Sequence, residues 1–124
     1  MEPFRIEPAR NTPLISLKPD GNMKISGRSI HENVAAFYQP SFDWTDEYLV
    51  NPPEVTRIDI QLEYFNSASA KYIIKLLQRF REVLFKDKKL FISWFYEEGD
   101  EDILERGEYF SSVLDISFNF VEIT

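Results

Sequence analysis

The chain predicts a single α/β domain, a mixed sheet with helices packed against it. Three features predict it: a β-hairpin near the start, helix and strand periodicities that then alternate to the end, and a length of 124 residues, which suits one domain rather than two. Strands separated by helices pair in parallel through right-handed crossovers, so the hairpin adds antiparallel strands to a parallel sheet.

The elements follow in order. Pro3, Pro8 and Pro13 keep the first dozen residues extended, with Phe4 and Ile6 forming a short edge strand. Leu14 to Lys18 reads as a strand, and Met23 to Ser26 alternates apolar and polar. Pro19-Asp20-Gly21-Asn22 joins them as a turn, because Pro fixes φ and Gly supplies positive φ. A helical pattern begins near Glu32: Val34, Phe37 and Tyr38 share a face that Trp44, Tyr48 and Leu49 continue. Pro40 is expected to interrupt or kink it, and Pro52-Pro53 ends it. From Val55 to Leu62 the apolar residues fall mainly on one parity, as in a strand with one well-buried face. Asn66-Ser67-Ala68-Ser69 then opens the strongest helix, with Ile73, Leu76, Leu77, Phe80, Val83 and Leu84 at three- and four-residue steps. Leu90 to Tyr96 is nearly continuous in apolar and aromatic residues, which predicts a central strand covered on both faces. A third helix runs from about Asp100 to Val113 with Ile103, Leu104, Phe110 and Val113 buried, and Phe118 to Ile123 is the last strand. In such a sheet the loops at the carboxyl edge carry the sites. Gly27 to His31, Tyr64 to Ser69 and Glu97 to Asp102 should meet there.

Composition removes many functions. Hydrophobic residues are 44% and aromatic residues 15%, which argues for a folded chain. Fourteen basic against twenty-one acidic residues give a net charge of −7, which disfavours nucleic acid and anionic membranes as partners. The lack of Cys excludes thiol catalysis and Cys-ligated metals, and one His cannot make a His cluster. The N-terminus has no signal-peptide pattern, and no apolar run approaches the roughly 20 residues that span a bilayer. A cytoplasmic protein without a cofactor is expected.

Four groups of residues invite a chemical reading. In Asn66-Ser67-Ala68-Ser69 the side-chain oxygens cap a helix, which is worth about 1 kcal/mol. The sharper reading is a phosphoacceptor, whose charge the amides of the first turn favour by about 0.3–1 kcal/mol. Glu97, Glu98, Asp100, Glu101 and Asp102, with Glu105, are the densest charge. They suit a helix start, an acidic docking loop or, as a rival, oxygen ligands of a divalent-metal hydrolase. His31 reads as a surface or capping residue rather than a catalyst. Lys71, Lys75, Arg79, Arg81, Lys86, Lys88 and Lys89 make the middle of the chain basic, as a solvated helix face or a docking patch for a phosphorylation-independent scaffold. Trp94-Phe95-Tyr96 reads as core. No Walker loop, Rossmann fingerprint or nucleophile elbow is present.

Four stretches occur in register: Gly27-Arg28-Ser29-Ile30-His31-Glu32-Asn33 with Phe37-Tyr38-Gln39-Pro40; Leu62-Glu63-Tyr64-Phe65-Asn66-Ser67; Trp94-Phe95-Tyr96-Glu97-Glu98; and Asp100-Glu101-Asp102 with Glu105. Together with Thr12-Pro13 they resemble the SiaC family of bacterial regulatory phosphoproteins over nearly the whole chain. The resemblance implies a fold similar to anti-sigma-factor antagonists of the STAS type. It also implies a non-enzymatic switch, phosphorylated by a dedicated Ser/Thr kinase and restored by a PP2C-type phosphatase. In the family's best-known system the unphosphorylated protein binds and activates a diguanylate cyclase, which links it to biofilm control. The family's acceptor is the hydroxyl residue after the motif Asn, here Ser67, with Ser69 as the alternative. Ala68 and Ala70 depart from the usual hydroxyl-rich run, and Ser stands where Thr is common. The partner-binding surface so implied comprises Arg28, Asn33, Asn66, Ser67, Ser69, Lys71, Glu97, Glu98, Asp100 and Asp102.

Overall fold

Strand order repeats chain order, and that fact decides where everything else lies. A computed structural model describes residues Met1 to Thr124. Its elements are β1 (Phe4–Ile6), β2 (Leu14–Leu17), β3 (Asn22–Ser29), α1 (Val34–Tyr48), β4 (Val55–Phe65), α2 (Ser67–Phe80), a 3-10 turn over Arg81–Lys86, β5 (Lys89–Glu97), α3 (Glu101–Leu114) and β6 (Asn119–Ile123). The first three strands pair antiparallel and β3 to β6 pair in parallel, a mixed α/β sheet as the periodicities predict.

Each parallel step moves the sheet in the same direction, so right-handed crossovers lay all three helices on one side. The burial agrees. Met23, Ile58 and Ile92 align across β3, β4 and β5, as do Ile25, Ile60 and Trp94, and all six are buried. On the opposite side Lys24 and Asp59 are exposed, Ser93 is half-buried, and Phe91 remains 49% exposed beneath the Arg57 guanidinium. The expectation that β5 is covered on both faces is therefore corrected. A doubly covered strand needs a reversal of strand order that sends some helices to the other face, and this order has none.

Three further expectations are adjusted. Helix α1 runs unbroken through Pro40; Pro40 and Ala36, whose carbonyl loses its donor, are both exposed, so water can replace the missing bond. On α3 the buried residues are Ile103, Gly107, Phe110 and Leu114, whereas Val113 is 42% exposed and Leu104 is half-buried. A Cβ on Gly107 would overlap the Trp94 indole, so the absence of a side chain lets the α3 backbone lie on that ring. Trp94 Nε1 donates to the Ile103 carbonyl at 3.0 Å. Leu84 is exposed because the chain tightens into a 3-10 turn after Phe80, which changes the phase of the apolar stripe.

At the carboxyl edge β4 carries one extra residue: Gly27 pairs with Leu62, but Arg28 pairs with Tyr64. This bulge reverses the parity of β4, so Phe65 turns into the core while Glu63 and Tyr64 stay exposed in succession. The Phe65 ring packs against Trp94 and Phe110, with centroids at 6.1 and 5.5 Å.

Candidate functional site

Immediately after Phe65 the chain turns into α2, and this junction holds the candidate phosphoacceptor. Asn66 has extended backbone angles, and its Oδ1 accepts from the Ser69 N–H at 2.9 Å, an N-cap that satisfies one unpaired amide of the first turn. The Asn66 N–H donates to the Ser29 carbonyl at 3.3 Å, which ties this junction to the end of β3. The next residue, Ser67, is exposed. Ser69 is completely buried, and its hydroxyl has no hydrogen-bond partner. The two candidate hydroxyls thus have opposite accessibility: a modifying enzyme can reach Ser67, whereas Ser69 becomes reachable only if α2 opens.

Ser67 is one of the residues lining a groove of about 670 Å³ between α2 and α3. One wall carries Lys71 and Lys75, one and two turns along α2 from Ser67. The other wall is formed by Asp102, Glu105, Arg106 and Tyr109 of α3, and Ala70, Ile74 and Phe110 give the groove an apolar lining. Basic and acidic walls around such a lining suit a peptide segment or a helix with both charge types.

The structure gathers only part of the surface implied by the resemblance. Ser67, Lys71 and Asp102 share the groove. Asn33 caps α1, its Oδ1 accepting from the Ala36 N–H at 3.2 Å, and its own N–H donates to His31 Nδ1 at 2.8 Å. His31 also stacks on Phe37 at 5.6 Å, so its role here is at the start of α1. Arg28 lies over the exposed Tyr64 ring at 5.7 Å.

The acidic run is divided among three places. Glu97 and Glu98 adjoin Ile123 and Thr124 at the chain end, Asp100 caps α3 by accepting from the Ile103 N–H at 3.1 Å, and Asp102 and Glu105 face the groove. No three His, Asp or Glu side chains converge on a position that could hold a metal ion.

Arg106 is the site residue that sequence reasoning missed. Its Nη1 donates to the Phe65 carbonyl at 2.6 Å, and its guanidinium lies 3.8 Å from the centre of the Phe65 ring. One signal pointed to it: it is the only basic residue in α3, and it falls one turn from Asp102 and almost one turn before Tyr109 on the same face.

Comparison with known proteins places this architecture. SiaC of Pseudomonas aeruginosa superposes on the chain with a TM-score of 0.83 at 24% identity, covering 100% of this chain and 98% of that one. A chain in the crystal structure of the diguanylate cyclase SiaD in complex with its activator SiaC, from the same organism, matches with a TM-score of 0.84 at 25% identity, covering 96% of this chain and 97% of that one. An uncharacterised protein of Pseudomonas aeruginosa strain UCBPP-PA14 is 26% identical over 100 residues, 81% of this chain and 78% of that protein. The family model described as SiaC family regulatory phosphoprotein matches residues 6–123. With a model matched over nearly its full length and the same six-stranded architecture as the solved structures, the chain belongs to the SiaC family of regulatory phosphoproteins.

Proposed function

We propose that this protein is a non-catalytic switch whose unphosphorylated form binds and regulates a partner protein, a diguanylate cyclase, and that phosphorylation of Ser67 ends the binding. The observation that carries the reading is the exposed Ser67, which follows the capping Asn66 in the first turn of α2 and lines a charged, partly apolar groove. Membership of a phosphoprotein family and the likeness to a chain in the SiaD–SiaC complex support it. The division of the acidic residues among a cap, the groove and the chain end favours docking over metal-assisted hydrolysis.

The chemistry of the switch is one phosphoryl transfer in each direction. In the Ser/Thr kinase, Ser67 Oγ bonds to the γ-phosphorus of a nucleoside triphosphate, the bond to the diphosphate breaks, and the hydroxyl proton passes to a base of the kinase. In a PP2C-type phosphatase water takes the phosphoryl group, the P–Oγ bond breaks, and a proton returns to Oγ. The added charge, about −1.5 to −2, enters the groove lining and changes what a partner meets there.

Two measurements test the reading. Incubation with the cognate kinase followed by mass spectrometry should place the modification on Ser67; a site far from the start of α2 overturns the proposal. Ser67→Ala should retain partner binding, while Ser67→Asp weakens it by about tenfold, about 1.4 kcal/mol. Equal affinity of the two variants, together with equal affinity of the phosphorylated protein, removes the switch.

A further inference from the structure

Arg106 is placed unlike an ordinary surface cation. It is half-buried, stacked on the Phe65 ring at 3.8 Å and bonded through Nη1 to the Phe65 carbonyl. A guanidinium has five N–H donors, so that one bond leaves most of its capacity free. The ion pairs of the chain join Arg5 to Glu7, Arg79 to Asp46 and Lys88 to Glu54, so Arg106 has no carboxylate partner although Asp102 and Glu105 line the same groove. Only the capping Asn66 separates Phe65 from Ser67, and Ser67 and Arg106 both line the groove. A cation is thus held by its stacking and its carbonyl bond in the groove that the exposed Ser67 also lines, with no carboxylate to neutralise it.

We infer that Arg106 is the internal clamp for a phosphate on Ser67, so that modification pairs the guanidinium with the phosphate oxygens and ties α3 to the start of α2. The inference rests on Ser67 being the modified residue, as proposed above. A phosphate offers three strong acceptor oxygens, and the planar guanidinium fork engages two of them at once, whereas a lysine acts as a point charge. The half-buried setting strengthens the attraction relative to open water. Lys71 and Lys75 on α2 add positive potential from the facing wall, Asp102 and Glu105 on α3 oppose it, and Tyr109 lines the same groove. These opposite contributions partly cancel, so the pre-positioned guanidinium decides where the phosphate rests. A phosphate clamped in the groove occupies the surface that a docking segment needs. This explains how a single modification can exclude a partner without unfolding any element.

The test uses the full-length protein with phosphoserine installed at position 67 during synthesis, so it does not depend on the kinase. A phosphorus NMR titration reads the second ionisation of the phosphate, near 6 in an unconstrained phosphoserine. In the folded chain it should fall by about half a pH unit or more relative to the same chain unfolded in urea. Arg106→Gln should remove most of that fall, and Arg106→Lys should keep part of it. In the otherwise unaltered chain, the guanidinium NMR signals of Arg106 should move on modification, which keeps the test valid if a variant folds poorly. A titration left in place by Arg106→Gln, guanidinium signals that do not move, or a fall abolished by Lys71→Gln alone each overturns the inference. Kinase mapping to another residue would instead overturn the reading of Ser67, and the titration would still report whether the clamp exists.

Discussion

Two serines two positions apart show how little residue type says without burial. Ser67 is open to solvent, and Ser69 is sealed with an unpaired hydroxyl while its backbone amide is held by Asn66. The cap sets this arrangement, because it fixes the phase in which α2 begins. Asn66→Ala should lower the unfolding free energy by about 1 kcal/mol in urea denaturation, and an unchanged midpoint would count against the cap. Gly107 makes a second residue-level case with a diagnostic sign. Alanine in an ordinary helix interior stabilises by about 1 kcal/mol relative to glycine. Here its methyl would meet the Trp94 indole, so Gly107→Ala should destabilise by about 1–3 kcal/mol and lower the melting temperature. A rise in melting temperature would show that α3 does not lie on Trp94 as described.

At the level of elements, what was legible in the sequence was local periodicity, and what was not was the relation between elements. The stripe of Ile73, Leu76, Leu77 and Phe80 reads directly as the buried face of α2, because helical spacing alone fixes which side chains align. The hairpin and the caps are similarly local. The two-sided cover expected for β5 failed because composition cannot report strand order, and one-directional order leaves Phe91 on an open face. The bulge that turns Phe65 inward depends on pairing with β3, and Arg106 became a candidate only because that turn brings the Phe65 ring and carbonyl to it. The motif offered both Ser67 and Ser69 as candidates, and their opposite exposure was not legible, since both lie in a run of small residues. Pro40 also reflects context: the rule that proline breaks helices assumes that the freed carbonyl lacks another donor, and on the exposed face of α1 that carbonyl is open to solvent. The steric and propensity penalty remains, reduced by the stiffness proline gives the unfolded chain. Pro40→Ala should therefore raise stability by about 2 kcal/mol in chemical denaturation, and a loss of stability would show that the proline is accommodated without strain.

Across the whole molecule, α1 is fastened to the sheet by two hydroxyl pairs as well as by apolar packing. Tyr38 Oη and Ser29 Oγ lie 2.7 Å apart, and Tyr48 Oη and Thr56 Oγ1 lie 2.6 Å apart, joining α1 to β3 and to β4. Ser29 also accepts through its carbonyl from Asn66, so the first of these pairs adjoins the start of α2. Burial pushes the Tyr38 phenol from 10.0 up to about 12, against a smaller opposing effect of its hydrogen bond to Ser29. Burial raises Tyr48 as well, opposed by its bond to Thr56 and aided by the charge of Asp20. The consequence for stability has a definite sign. Above about pH 10 an unfolded chain loses the Tyr38 proton while the folded chain retains it, so the unfolded state binds fewer protons and stability falls as pH rises. The contribution is complete below about pH 10 and is lost by about pH 12, and the full window corresponds to about 3 kcal/mol as an upper bound. Tyr38→Phe removes this linkage and leaves the Ser29 hydroxyl without its partner. At neutral pH the variant should therefore be less stable than the natural chain by about 1 kcal/mol. That deficit should shrink as urea denaturation is repeated from about pH 9 to about pH 11, because only the natural chain carries the Tyr38 slope. Tyr48 is common to both proteins, so its contribution cancels in the difference. A deficit that stays constant over this range would mean that Tyr38 ionises as freely in the folded protein as in the unfolded one, and that its phenol is not buried between α1 and the sheet as described.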